Sequence, residues 1–200
     1  MKFDEFIFAF DVGFSDIWTD ESVRHITFEK RNEDLYLLKN VINADSIINS
    51  FLSFEIEHPQ RELWLESQTD LMSSIYLVLG GYYRQAFVCL RTWFEITLLA
   101  VYYSKYYKGT GSRYNQWKKG IRHSPNWKHL LDSLFSRIQF QSVNVNIGLR
   151  SKLERFYTEL SAFVHNRGML KYDLQRGRDN VPRFVNHAFD LYLSCYRHSI

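Results

Sequence analysis

A chain of 200 residues is long enough to bury one substantial hydrophobic core, and its 17% aromatic content argues against a disordered protein. Only 9 glycines and 3 prolines are present, too few for a turn-rich β-sandwich, so the composition predicts an all-α fold. The net charge of +3 hides a division: residues 1–70 carry 15 acidic and 6 basic side chains, a net −9, whereas residues 71–200 carry 7 and 19, a net +12.

Three features of the chain bear on its compartment. Three acidic residues within the first eleven positions exclude a signal-peptide core. The longest uncharged stretch, Leu71–Tyr83, has 13 residues, whereas a membrane-spanning helix needs about 20. Cys89 and Cys195 lie in apolar-periodic stretches, as buried thiols in a reducing compartment do. The sequence therefore predicts a cytoplasmic protein without a membrane span.

The N-terminal part is predicted to be an acidic extension, residues 1–59, ahead of a helical bundle, residues 60–200. Within the extension, residues 1–33 fit either a strand or one face of a helix, and both conformations stay open. From Asp34 onwards apolar residues recur at helical spacing, and Pro59 ends this first helix because the residue before a proline disfavours helical backbone angles.

The bundle is predicted to begin with its longest element. Apolar residues step by three or four from Glu62 to Tyr107, which indicates one long helix or two helices in line, with a bend or close-packing point at Gly80-Gly81. Residues 108–126 then form an irregular basic connector with one helical turn at Tyr114–Trp117.

Three further elements follow the connector. A helix is predicted from Asn126, a plausible N-cap, to Ile138. A polar linker continues through Asn146, and the next helix ends at Gly168. The final helix can begin at Pro182.

The basic connector has the composition of a nucleic-acid surface, since cations suit phosphates and aromatic rings suit exposed bases. Between Ile96 and Leu153 there are ten Lys or Arg residues and one acid, Asp132. The alternative is a solvated face that pairs with the acidic N-terminal region of the same molecule or of a neighbour. The candidate nucleic-acid-binding residues are Lys105, Lys108, Arg113, Lys118, Lys119, Arg122 and Lys128.

A charged pair stands on the long apolar helix. Arg91 and Glu95 are four residues apart and so face the same side. Such a pair is more often a structural ion pair than a catalytic one, and it indicates a polar seam between helices.

His165 is the leading candidate for catalysis. On a helix it shares the polar face with Ser161 and Glu154 and lies about 150° from the apolar stripe. One interpretation is a helix-terminal histidine that the helix dipole favours or that bonds to Ser161. The other is a general acid or base for phosphodiester cleavage, held by Ser161 or Glu154 and helped by a nearby cation.

The chain resembles the HEPN superfamily over residues 60–198. The likeness is carried by three motifs in order: Arg84-Gln85-Ala86-Phe87 through Glu95, Trp117-Lys118-Lys119-Gly120 ahead of a Pro-containing turn, and Leu160-Ser161-Ala162-Phe163-Val164-His165. The resemblance implies a bundle of four or five helices that often pairs into a homodimer. It also implies kinship with metal-independent ribonucleases of toxin–antitoxin and antiphage systems, and with non-catalytic binding or dimerisation modules.

In active members of that family an arginine precedes the histidine by a turn or two, and two such motifs meet across the dimer. Here His165 matches the histidine, but Ser161 stands one turn before it and no arginine lies between Leu160 and Val164. The cation would then be Arg91, Arg167 or an arginine of a second subunit.

The sequence thus predicts a protein that binds or cleaves RNA in a toxin–antitoxin, antiphage or stress-response system. The expected partners are a second copy of the chain, RNA, and a protein partner such as an antitoxin. The seven histidines and two cysteines show no zinc spacing, and we expect no metal and no cofactor. The alternative function is a non-catalytic helical dimerisation or interaction module.

Overall fold

The computed structural model describes residues 22–55, 61–104, 112–165 and 184–197, and within these ranges it contains helices and no strands, which confirms the all-α fold. The described ranges contain the following helices: α1 (residues 22–30), α2 (Asn32–Glu55), α3 (Arg61–Leu79), α4 (Tyr83–Tyr103), α5 (Arg113–Lys118), α6 (Trp127–Phe135), α7 (Ile138–Ile147), α8 (Leu149–Val164) and α9 (Asn186–Arg197).

The long central element is a hairpin of two antiparallel helices, so the prediction of one helix or two in line is wrong. The expected bend at Gly80-Gly81 is a full reversal, in which Gly81 adopts φ 82° and Tyr82 N–H donates to the Leu77 carbonyl at 2.9 Å. Glycine takes this left-handed conformation without steric cost. Periodicity alone could not reveal the reversal, because the apolar spacing is the same in either direction.

Helix α4 is the centre of the bundle and packs against α3, α6, α8 and α9. Its Phe87 ring stacks on Phe163 of α8 at 3.8 Å between centroids, and its Phe94 meets Phe156 edge-on at 4.8 Å. The earlier residue of α4 contacts the later residue of α8, and the later residue of α4 contacts the earlier one, so these two helices run antiparallel. Each helix around α4 supplies a fully buried leucine, namely Leu71, Leu131, Leu160 and Leu193.

A chain of buried hydroxyl groups ties three helices together. Ser74 Oγ of α3 donates to the Ala86 carbonyl of α4 at 2.8 Å and lies 2.7 Å from Tyr192 Oη of α9, which in turn lies 2.8 Å from Tyr196 Oη. Buried polar groups need such partners, since an unpaired one costs about 1–3 kcal/mol. The buried hydrogen bonds and the packing of Leu193 therefore both hold α9 against α3 and α4.

The N-terminal helices pack on the bundle. Leu38 of α2 belongs to the hydrophobic core. At the junction of α1 and α2, Arg31 binds Asp34, and it also reaches Asn186 and Asp190 of α9. The predicted boundary at residues 59 and 60 and the predicted stop at Pro59 lie outside the described residues.

The second half of the chain follows the prediction with one exception. Helix α6 begins after Asn126, whose side chain accepts the His129 N–H at 2.8 Å, so the predicted N-cap is confirmed. The predicted polar linker is wrong, because residues Ile138–Ile147 form α7. This helix has no buried residue and hence no apolar stripe for periodicity to detect. Gly168, where one helix was predicted to end, and Pro182, where the final helix was predicted to begin, both lie outside the described residues.

Helix α4 has the length and apolar composition that would also allow a membrane crossing, the one such helix in the described part of the chain. In its most apolar window 44% of the residues are buried inside the bundle. The central helix of a helical bundle has the same properties.

Candidate functional site

A cleft lined with basic side chains opens where the C-terminal end of α4 meets α5 and the start of α6. We call it the cationic cleft. Its volume is about 360 Å³. Its lining residues are Tyr102, Tyr103, Arg113, Arg122, His123, Ser124, Pro125, Asn126 and His129.

Local turn chemistry brings the two arginines of the cleft together. Ser112 caps α5 by accepting the Asn115 N–H at 3.2 Å, which places Arg113 in the first turn. After α5 the chain reverses at Gly120, whose φ is 70°, and the Arg122 N–H donates back to the Gln116 carbonyl at 3.2 Å. The reversal folds Arg122 against α5.

The histidines of the cleft come from the far side of the same loop. Asn126, the cap of α6, fixes the first turn that carries His129. The His129 ring lies 6.2 Å from the Tyr102 ring in an edge-on arrangement. Trp117 Nε1–H donates to Ser124 Oγ at 2.8 Å, which holds the loop that carries His123 against α5.

The floor of the cleft is a rigid aromatic cluster. Tyr103 is buried, and its ring lies 5.6 Å from Tyr114 and 5.3 Å from Trp117. Burial raises the pKa of Tyr103 to about 12, and the nearby charges of Arg122 and Arg113 oppose that rise.

The described residues that line the cleft include no carboxylate. The nearest acid in sequence, Asp132, accepts a hydrogen bond from Arg150 at 2.7 Å, and Arg150 also binds Glu154 at 3.0 Å. On the outer side of α5, Lys118 forms an ion pair with Glu62. The acids near the cleft thus have cations of their own, and the cleft carries a positive potential.

The predicted nucleic-acid residues divide into three groups. Arg113 and Arg122 line the cleft. Lys119 and Lys128 are exposed beside it, and Lys118 is exposed and bound to Glu62. Lys105 and Lys108 lie outside the described residues.

His165 ends helix α8 and is exposed to solvent. Its backbone N–H donates to the Ser161 carbonyl at 3.1 Å, but no described side chain bonds to its imidazole. The Ser161 hydroxyl is buried without a hydrogen-bond partner in the described residues, and Glu154 is engaged by Arg150. The two predicted holders of the His165 ring therefore do not hold it. Arg167 lies outside the described residues.

The predicted ion pair on α4 is present and belongs to a seam between α4 and α8. Arg91 Nε donates to Glu95 at 2.8 Å, and Arg91 Nη2 donates to Tyr157 Oη at 3.2 Å. The Tyr157 ring in turn stacks on Trp127 at 3.9 Å. In the antiparallel register of these helices, His165 lies level with Gln85, about 9 Å along the axis from the level of Arg91. The structure does not bring Arg91 and His165 together.

Sequence reasoning missed His123 and the two tyrosines Tyr102 and Tyr103, and it set His129 aside. His129 follows Arg122 at a spacing that suits the arginine and histidine of active HEPN members, but Pro125 lies between them and the pair lies outside the helix that carries His165. The signal that could have found His123 is its position directly after Arg122 in the basic connector. No group of three His, Cys, Asp or Glu side chains that could hold a metal ion occurs in the described part of the chain.

Comparisons of the chain with protein-family models, with curated proteins and with solved structures find no match. The HEPN resemblance accordingly stays a prediction from the three motifs.

Proposed function

We propose that this protein is a HEPN-like RNA-binding protein that holds the RNA backbone in the cationic cleft. The observation that carries the proposal is the convergence of Arg113, Arg122, His123 and His129 on one cleft without a carboxylate. Arginine suits this role because its planar guanidinium can donate two parallel hydrogen bonds to one phosphate.

The burial of the tyrosines decides what part of the RNA the cleft would recognise. Tyr102 and Tyr103 are 3% and 1% exposed, so neither offers a face on which a base could stack. Binding would then come from phosphate contacts, which carry little sequence information and weaken steeply with salt. We expect an RNA-binding protein with weak sequence preference.

The same geometry argues against cleavage by His165 within one chain. A general base and its helper cation must act on one phosphate. His165 is level with Gln85, whereas the cleft lies at Tyr103, and eighteen residues of helix separate these levels by about 27 Å. His165 and the cleft arginines of one chain therefore cannot serve the same phosphate. The three HEPN-like motifs of the sequence favour a role in a toxin–antitoxin, antiphage or stress-response system.

The experiment is RNA binding by fluorescence anisotropy, with a labelled single-stranded RNA in EDTA over a range of KCl concentrations. We compare the wild type with Arg113→Gln/Arg122→Gln and with the control Arg84→Gln, which changes an exposed arginine at the opposite end of α4. The cleft variant should lose about tenfold or more in affinity, and its salt slope should fall by about 1.4 if each arginine binds one phosphate. The control should match the wild type.

Two outcomes would contradict the proposal: no RNA binding by the wild type, or equal binding by the wild type and the cleft variant. Loss of binding in Arg84→Gln alone would place RNA at the His165 end instead. Thermal unfolding of all three proteins checks that the substitutions leave the fold intact.

A second candidate function is a non-catalytic homodimerisation or interaction module, and the surface of α2 favours it. Ile47, Ile48 and Phe51 lie within one turn of each other and are 70%, 51% and 64% exposed. Clustered apolar side chains of this kind often mark protein interfaces. Self-association that persists at high salt, observed by sedimentation without any RNA binding, would favour this module over the RNA-binding protein.

A further inference from the structure

The cationic cleft presents more hydrogen-bond donors than a phosphate inside an RNA chain can use. Arg113 and Arg122 line it together with His123, Ser124 and His129. Each guanidinium carries five N–H donors, and each imidazole or hydroxyl can add one. A phosphodiester offers two free oxygens and a single negative charge, whereas a phosphomonoester offers three strong acceptor oxygens and a charge of about −1.5 to −2. The donors of the cleft therefore match a phosphate at the end of a chain.

The side chains that would meet this phosphate are open to solvent. Arg122, His123 and His129 are exposed, and Arg113 is half-buried. Arg122 and the two histidines form no ion pair with another described residue. Among the described residues that line the cleft there is no carboxylate to compete for them. One guanidinium and both imidazoles are therefore available to an anion that enters the cleft.

A hydrogen bond from the floor of the cleft orients a further donor. Trp117 Nε1–H donates to Ser124 Oγ at 2.8 Å, so the serine hydroxyl accepts from the indole and keeps its own hydrogen for a second partner. The Trp117 ring lies 5.3 Å from Tyr103 and 6.0 Å from Tyr114. Because Ser124 is exposed and lines the cleft, its hydroxyl can donate to a phosphate there.

The size of the cleft limits how much of an RNA it can hold. Its volume of about 360 Å³ is near the lower end of the range for small-ligand sites, which is about 300–1,000 Å³. The last turn of α4, the start of α5, and the loop and first turn of α6 all contribute to its lining. A cleft of this size suits one phosphate with its nucleoside better than a length of RNA chain.

Other cations outside the cleft can bind the rest of the strand. Lys119 and Lys128 are exposed and stand at the two ends of the loop that leads from α5 into α6. Neither forms an ion pair with a described residue, in contrast to Lys118, which binds Glu62. A lysine acts on phosphate as a point charge, so it does not distinguish an internal phosphate from a terminal one by hydrogen-bond geometry. These lysines would add affinity without selecting an end.

We propose that the cationic cleft binds the terminal phosphate of an RNA chain, with its arginines and histidines around the phosphate oxygens. This inference rests on the proposed RNA binding and adds the substrate class, which is RNA that ends in a phosphomonoester. An RNA whose ends carry only hydroxyl groups would place an internal phosphodiester in the cleft, with one free oxygen fewer and less charge for the same donors.

The test compares three single-stranded RNAs of one sequence with the same internal fluorescent label. One has hydroxyl groups at both ends, one has a 5′-phosphate and one has a 3′-phosphate. In EDTA and at one KCl concentration, fluorescence anisotropy should show that the wild type binds at least one phosphorylated RNA about tenfold more tightly than the hydroxyl RNA. This is the gain expected for one further charge-assisted hydrogen bond. Arg113→Gln/Arg122→Gln should bind all three RNAs nearly alike.

The matched control is Lys119→Gln/Lys128→Gln, which removes two exposed cations beside the cleft. It should weaken the binding of the three RNAs by a similar factor and keep the preference for the phosphorylated end. Arg122→Gln alone, at an exposed side chain, repeats the comparison with the smallest change to packing. It should reduce the preference as well.

The possible failures of this inference and of the proposed function are distinct. If the wild type binds the three RNAs equally and the double arginine variant binds all of them more weakly, recognition of the end is wrong and RNA binding by the cleft stands. A preference for the phosphorylated end that survives in the arginine variants also contradicts the inference. If the wild type binds none of the RNAs, the proposed function and this inference are both wrong.

Discussion

The two ends of helix α4 use similar residues for different purposes. At the N-terminal end, Tyr83 is buried and accepts the Val185 N–H at 2.9 Å. At the C-terminal end, Tyr103 is buried beneath Arg113 and Arg122. Burial raises the pKa of both tyrosines to about 12. Burial of tyrosine is therefore common to both ends, and the convergence of cations distinguishes the end that suits a ligand from the end that holds the bundle.

The largest expected effect tests the structural role of the N-terminal end. Phe87→Ala removes a fully buried ring that stacks on Phe163, and it should lower the free energy of unfolding by about 3–5 kcal/mol. The matched change Val88→Ala, at a side chain that is 39% exposed, should stay within about 0.5 kcal/mol. Urea unfolding measures both. A loss below about 1 kcal/mol in Phe87→Ala would show that this end is not a packing centre.

A smaller effect is expected on the unfolding free energy at alkaline pH, and it tests the C-terminal end of α4. The pKa of Tyr103 is about 12 in the folded protein and 10.0 without burial, so the folded state keeps its proton when the unfolded state has lost it. This contribution to stability is complete below pH 10 and is lost as the pH rises towards 12. Tyr103→Phe should therefore make the fall in unfolding free energy over that range less steep.

The control for this titration is Tyr36→Phe, because Tyr36 is 64% exposed. Urea unfolding at several pH values between 9 and 12 compares the three proteins. Identical slopes for wild type and Tyr103→Phe would show that the floor of the cationic cleft is open to solvent, which would weaken the comparison between the two ends.

The smallest expected effect is at His165. Because His165 lies far from the cleft within one chain, His165→Ala should change RNA affinity less than twofold. Incubation of both proteins with tRNA and total RNA in EDTA should give the same cleavage pattern or none. Cleavage by the wild type that disappears in His165→Ala would move the function to the N-terminal end of α4 and establish a metal-independent ribonuclease.

The sequence predicted most helices because their apolar faces are periodic. The face of α6 is an example, with Leu130, Leu131 and Leu134 all buried. It missed α7, since Ile138 and Val145 are 74% and 83% exposed and leave no buried stripe. A helix without a buried stripe is stabilised by contacts with neighbouring helices and by terminating residues such as Gly148, whose φ is 62°.

The candidate site was predicted only in part. Charge counting identified Arg113 and Arg122, because a run of cations without acids is visible in one dimension. It could not separate them from Lys118, whose partner Glu62 lies 56 residues earlier in the chain.

The contacts of Arg31 have a consequence for the order in which the protein can assemble. Its side chain is 10% exposed, and the guanidinium joins the junction of α1 and α2 to Asp190, which follows 159 residues later. Loop closure over such a span is slow and entropically costly, so this contact forms after the local hairpin of α3 and α4. A chain shortened before α9 would lose Asn186 and Asp190 and leave Arg31 with Asp34 as its remaining acidic partner among the described residues. The last of the described helices thus holds the junction of the first two described helices in place.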